Sequence, residues 1–362
     1  MNTQPDLLYS EVEDDLRAAV RSLLTDRGDT ASALVRAEAG APYDPELWKG
    51  LAADIGAAGL LVPDKLGGQG ASHREAAVVL EELGRGVTPA PYLTSAVMAT
   101  ETLLALDTET AEVAELLTAL ATGRKAAVLA VPLSASPHGP LPVDASRVTG
   151  VADAAVADVL LVLKSDGLYA VEKAAATVEA QIPLDLTRPL AAVTVGDTAQ
   201  AIRLADAAAA EQAVRRGLLA GAGLLASEQL GLAEWCLEET VRHTRERHQF
   251  NRPIGSFQAL KHRMAQVWLE VVSARAAARN AADALATGSP EAPLAVAVAQ
   301  AYSSRVAVHA AEECVQLHAG IGMTWEHPAH LYLKRAKADE VALGTPGRHK
   351  EALAELVRLQ AP

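Results

Sequence analysis

From Ala207 to Arg247 the chain contains no proline and places leucine at Leu218, Leu225 and Leu232. Seven residues are close to two helical turns, so these leucines share one face. A helix that long holds its shape in water mainly by packing that face against partners. The partners are legible downstream. Met264, Val267, Val271, Ala274 and Ala278 follow three- and four-residue spacing, which is again one helix face. Ser289-Pro290-Glu291-Ala292-Pro293 opens a third long helix over about 294–317, which Gly320, Gly322 and Pro328 close. Shorter helices are predicted over 329–343 and 347–359. Long helices joined by short breaks predict an antiparallel four-helix bundle, assigned to residues 205–362.

The middle of the chain has another texture. Between 123 and 204 the apolar runs shorten to 127–131, 156–163, 169–171 and 191–195, separated by Pro132, Pro137, Gly139, Pro140, Pro142, Gly150, Gly167 and Pro183. Short runs divided by breakers predict a small, barrel-like β domain, with Asp166-Gly167 as a hairpin turn. Residues 1–122 read as a helical domain. Residues 11–24 and 45–58 are amphipathic, Leu66-Gly67-Gly68-Gln69-Gly70 is a turn, Ser72 with Glu75 forms a capping box, and a further helix spans 95–106. The expected class is therefore mainly α with a central β domain.

Half of the 362 residues are hydrophobic, 21% are charged, and the net charge is -13. Such acidity argues against nucleic acid or an anionic membrane as the main partner, since both select basic patches. No long uncharged apolar stretch predicts a membrane span, and residues 1–10 are polar and lack a signal pattern. Cys236 and Cys314 stand apart from any metal-binding spacing, so no metal is expected and both read as reduced core thiols of a cytoplasmic protein.

Three strings carry a resemblance. Arg247-His248-Gln249-Phe250-Asn251-Arg252-Pro253-Ile254-Gly255-Ser256-Phe257-Gln258 resembles the acyl-CoA dehydrogenase signature R-x-x-F-G-x-P-I-x-x-x-Q, with Asn251 for the usual glycine. Gln316-Leu317-His318-Ala319-Gly320-Ile321-Gly322, followed by Trp325-Glu326-His327-Pro328, resembles the family's Q-x-x-G-G-x-G segment, with Ala319 for the first glycine. Val62-Pro63, Gly67-Gly68-Gln69-Gly70 and Glu81-Glu82-Leu83-Gly84 follow the family pattern in the first domain. The helix, β, helix order agrees over nearly the whole chain. The resemblance implies FAD as cofactor, held by Arg247, Gln249, Phe250, Phe257, Gln258, Gln316 and Gly320. In family members this set reaches the flavin held mainly by a neighbouring subunit. An arginine suits a pyrophosphate because its planar fork pairs with phosphate oxygens. His318 lies inside the second string without an assigned role, and Trp325 reads as packing near the flavin edge or an oligomer contact.

The departures are as informative. The family's catalytic glutamate precedes a Gly-Thr pair, and here Leu343 precedes Gly344-Thr345. Members that place the base in the first long bundle helix match this chain at Gly221. Neither residue accepts a proton. Glu228, two turns beyond Gly221, is the weak substitute, with Asp339, one turn before Leu343, behind it. The β-domain strings that hold the flavin ring in relatives are replaced by residues 131–139, with Ser134 and Ser136, and by residues 148–153. The pattern resembles the shorter subunit of heteromeric α2β2 acyl-CoA dehydrogenases of actinobacteria, which desaturate steroid side-chain and other bulky CoA thioesters. It implies a partner subunit that carries the glutamate. Two alternatives stand beside it: a self-sufficient flavoenzyme with an unrecognised base, and a flavin-free binding or scaffold protein.

Overall fold

The computed structural model describes residues 7–28, 30–196 and 201–359; residues 1–6, part of the polar start, lie outside them. Helices come first: α1 (Glu11–Arg27), α2 (Thr30–Glu38), α3 (Pro45–Lys49), α4 (His73–Gly86), α5 (Thr100–Leu104) and α6 (Ala111–Ala121). A buried π-helical segment, Tyr92–Ala99, runs directly into α5. Ser10 and Ser72 cap α1 and α4 in reciprocal boxes with Glu13 and Glu75, which satisfies amides that the helix start leaves open.

The strands are β1 (Ala127–Leu129), β2 (Arg147–Ala152), β3 (Val159–Lys164), β4 (Gly167–Glu172), β5 (Ala176–Gln181), β6 (Leu190–Val195) and β7 (Ala201–Asp206). They form two small sheets, ordered β1-β3-β4-β7 and β2-β6-β5. Only the β1–β3 pairing is parallel; the other strand pairs in these two sheets are antiparallel. β3 explains why its sequence is apolar throughout. Alternate residues point to opposite faces. Val159, Leu161 and Leu163 join the main core, whereas Leu160 and Val162 pack between the sheets with Val148, Val151, Ala191 and Val193.

Asp206 caps α7 (Ala207–Glu246), its carboxylate accepting the Ala209 N–H. A two-stranded hairpin, β8 (His248–Gln249) and β9 (Arg252–Pro253), leads to α8 (Gln258–Ala286), and α9 (Ala292–His318), α10 (Ala329–Val341) and α11 (Pro346–Leu356) follow. α7 packs against α8 and α9, and α4 crosses α7 from the first domain. That crossing is glycine on backbone in both directions. A Cβ on Gly84 would lie 2.1 Å from the Glu228 carbonyl oxygen, and one on Gly231 would lie 1.9 Å from that of Glu81. The approach also needs Glu81 and Glu82, buried on α4, to be neutralised by Arg17 and Arg21 of α1. Gly231→Ala is expected to force the helices apart and lower unfolding free energy by about 1–3 kcal/mol, read as a shift in the denaturant midpoint.

Candidate functional site

The two base positions meet. Leu343 is fully buried, and a Cβ built on Gly221 would stand 3.2 Å from Leu343 Cδ1 and 2.6 Å from Met98 Cγ. Two residues distant in sequence thus define one point, and Met98 and Leu343 fill it with hydrocarbon. The loop around Leu343 has an unusual backbone: Leu343 has φ 54° and Gly344 φ 106°. A leucine in the left-handed region is strained. Its N–H donates to the Leu133 carbonyl at 2.7 Å, and its carbonyl lies 3.1 Å from His349 Nε2, so the contacts around it hold the strained turn.

Beside this point lies a buried ionic network. Arg188 and Arg335 both bond the Glu228 carboxylate; Arg335 also bonds Asp185 and the Thr187 hydroxyl. Burial opposes ionisation of Glu228, but the two guanidinium groups outweigh it and lower its pKa. Glu228 is therefore an ion-pair anchor, with Oε1 accepting from both guanidinium groups. Asp153, which accepts bonds from the hydroxyls of Tyr43 and Thr94, is raised by burial. Asp339 has both carboxylate oxygens buried without a hydrogen-bond partner, 3.6 Å from Arg188 at the nearest. Burial and the Glu228 charge push it up to about 8. Four acids thus face two arginines, and burial raises two of them, Asp153 and Asp339.

Sequence reasoning found Glu228 and Asp339 and missed Asp153, Asp185, Arg188 and Arg335. The available signal was weak. Arg335 and Asp339 share a face of α10, but Lys334, Lys337 and Glu340 surround them in sequence and blur the pattern.

The two divergent β strings also converge. Pro132, Leu133 and Ser134 from one and Thr149 and Gly150 from the other line a cleft of about 560 Å³, opposite Lys337 and Val341 of α10. Its polar side chains include Ser134, Thr149, Asp185, Arg188 and Lys337.

The residues expected to hold FAD lie elsewhere, at the bundle end where α7 and α9 stop and α8 begins. Arg247 ends α7, Gln258 opens α8, Gln316 is in the last turn of α9, and Gly320 follows it. Arg247, Gln249, Phe250, Gln258, Gln316 and Gly320 are exposed, and Phe257 is half-buried. Among the described residues, none bonds the side chains of Arg247, Gln249, Gln258 or Gln316. No side chain caps α8, so the amides that open it have no side-chain partner, an arrangement that suits anions. Phe250 and Asn251 form the hairpin tip with φ 52° and 61°, the left-handed pair of a type I′ turn. Asparagine tolerates that region, which accounts for Asn251 where relatives have glycine. Phe250 is 86% exposed there. Ala319 adopts φ 54°, ψ -135°, which is glycine-like backbone.

Behind the clamp, Glu239, His318 and His327 bring their polar atoms within 4.8 Å of one another. Arg242 grips both oxygens of Glu239 at 2.5 and 2.8 Å. The Ala329 N–H donates to His327 Nδ1 at 3.2 Å. These bonds make the cluster a hydrogen-bond network. Trp325, 60% exposed, lies beneath the Lys334 ammonium and edge-on to His330.

The Asp339 carboxyl has a testable sign. Its folded pKa of about 8 exceeds the ordinary 3.8, so folded protein holds a proton that unfolded chain releases between those values. Stability is lost as pH rises through that window. Asp339→Asn keeps the group neutral. Relative to the wild type it should gain stability at pH 9 compared with pH 5, measured by urea unfolding; equal pH profiles would mean that Asp339 is ionised throughout.

Family models for the acyl-CoA dehydrogenase N-terminal and C-terminal domains match residues 10–124 and 210–357. Acyl-CoA dehydrogenase IpdE2 of Mycolicibacterium smegmatis is 35% identical over 338 residues, covering 93% of this chain and 96% of its own length. The structure of a Tcur3481-Tcur3483 steroid ACAD variant aligns with TM-score 0.82 at 25% identity, covering 96% of this chain and 98% of that one. The ChsE4-ChsE5 complex from Mycobacterium tuberculosis aligns with TM-score 0.86 at 24% identity, covering 99% and 100%. No helix among the described residues is long and apolar enough to cross a membrane. The chain belongs to the acyl-CoA dehydrogenase family, oxidoreductases whose cofactor is FAD.

Proposed function

We propose that this chain is the glutamate-lacking subunit of a heteromeric, α2β2 acyl-CoA dehydrogenase, built from domains at 1–122, 123–204 and 205–362. It contributes its clamp to FAD shared with an unlike subunit that carries the catalytic glutamate. The observation that carries this reading is the contrast between two ends of one molecule. At the base positions, Gly221 and Leu343 face each other in packed hydrocarbon. At the bundle end, Arg247, Gln249, Gln258 and Gln316 stand exposed, with no bonds to their side chains among the described residues.

FAD, when bound, accepts the hydride leaving the acyl β-carbon in α,β-desaturation. This chain's part is binding. Arg247 and the open amides of α8 suit the pyrophosphate, Gln258 and Gln316 offer amide bonds, and Gly320, where a Cβ would meet nothing within 4 Å, leaves room for close approach. Glu228 and Asp339 are proposed as structural, because Glu228 is bonded by two arginines and Asp339 is sealed from solvent. The substrate is proposed to be a bulky or steroid side-chain acyl-CoA, supported by the two-component steroid ACAD among the structural relatives.

One observation favours a second reading. The cleft between Ser134 and Thr149 offers room for a ring system, as a self-sufficient flavoprotein requires. Substitutions in a complex co-expressed with the neighbouring acyl-CoA dehydrogenase subunit separate the two. Arg247→Ala should weaken FAD retention about tenfold or more, the scale of one charged hydrogen bond. Glu228→Gln should lower the yield of folded protein yet leave turnover per bound FAD within about twofold. Lost turnover in folded, flavin-loaded Glu228→Gln complex would make Glu228 the base and favour the self-sufficient reading.

A further inference from the structure

His318 closes α9 two residues after Gln316, and its side chain is fully buried. Its Nδ1 lies 2.7 Å from the Cys314 carbonyl oxygen, which places a proton on Nδ1, because a carbonyl only accepts. Nε2 has no hydrogen-bond partner although it is buried. It points toward Glu239 Oε1 at 3.7 Å. In the neutral ring that contact sets a lone pair against a carboxylate oxygen. With one more proton it becomes a donor facing an acceptor. Glu239 belongs to α7, two turns before Arg247.

We propose that His318 is a positioning residue for the FAD clamp: as an imidazolium it ties the end of α9, with Gln316 and Gly320, to the end of α7, with Arg247. This rests on the clamp role proposed above. Every element packed against the ring has been counted. α7 presents Glu239, Arg242 and His243, with Cys236 a turn earlier; α9 presents Cys314; the following loop presents His327, which has His330 of α10 beyond it. The His243 and His327 rings flank His318 at 4.1 and 4.3 Å between centroids. Burial disfavours charge on His318, yet its hydrogen bonds to Cys314, with the nearby negative charge of Glu239, outweigh burial and raise its pKa. His243 is lowered by burial and by its histidine neighbours, and His327 Nε2 also faces Glu239 Oε1, at 3.4 Å. A cation in place of the proton would compete with Arg242 for Glu239, and His327 would have to give up its bond from Ala329.

The consequence is a positive charge directly behind a site for a dianionic pyrophosphate. Linkage makes the effect reciprocal: each unit by which FAD raises the His318 pKa corresponds to about tenfold weaker FAD binding once the proton is gone.

Two measurements separate this proposal from the reading beneath it. The full chain alone, with its imidazole nitrogens followed by NMR between pH 5 and 9, should show one histidine that holds its second proton to higher pH than an ordinary imidazole does. That signal should vanish in His318→Asn and move to lower pH in Glu239→Gln. The flavin-loaded complex should then lose FAD about tenfold more readily above that midpoint, and His318→Asn should remove the pH dependence. If the histidine titrates as expected but FAD retention is flat with pH, the positioning role is overturned. If no complex holds FAD at all, the clamp reading fails while the NMR result stands by itself. Stoichiometric Zn²⁺ uptake that silences the titration would assign the cluster to a metal and overturn the proposal.

Discussion

Glu228 is held from two sides by Arg188, just before β6, and Arg335, in α10. Its backbone carbonyl is also the surface on which Gly84 of α4 rests. One residue therefore joins the first helical domain, the β domain and the bundle. Replacing Arg335 would leave Asp185 without its arginine and Glu228 with one of its two, and breaking a buried pair typically costs about 3–5 kcal/mol. The same network occupies the space beside the base positions.

The backbone around the base position keeps a shape that its side chain does not need. Leu343 sits at positive φ, bonded through its own N–H and carbonyl to Leu133 and His349. Strain of that kind persists only where surroundings impose it. In this chain the loop closes a packed core, with Leu343 fully buried. Asn251 and Ala319 tell a related story at the clamp, where both take left-handed backbone at positions where relatives carry glycine. The clamp hairpin and loop hold a shape their side chains do not favour, and the residues that shape presents are the exposed ones.

Much of this was legible in the sequence. The period of Met264, Val267, Val271, Ala274 and Ala278 marks a face that is buried at Val267, Val271, Ala274 and Ala278 in α8. The short apolar runs of the middle domain gave β1, β3, β4 and β6, whereas β2, β5 and β7 were hidden. β5 has mostly exposed side chains and β7 alternates weakly, so neither carries an apolar signature. α2 and α6 were also missed, because short alanine-rich helices resemble the loops around them, and no side chain caps the start of α6. The β domain is built of two small sheets packed on each other. The buried ionic network was illegible for a different reason. A buried arginine and a solvated one have the same letter, and only the crossing of α7, α10 and the segment before β6 decides which is which.

The central claim concerns where flavin is held, and the flavin-to-chain ratio tests it most directly. The chain would be purified alone and again with its neighbouring acyl-CoA dehydrogenase subunit, and the visible flavin spectrum recorded for both. A shared site gives a colourless lone chain and a yellow complex with one FAD per pair of unlike subunits. A yellow lone chain with one FAD per subunit would contradict it, and would move the flavin to the cleft beside Ser134 and Thr149.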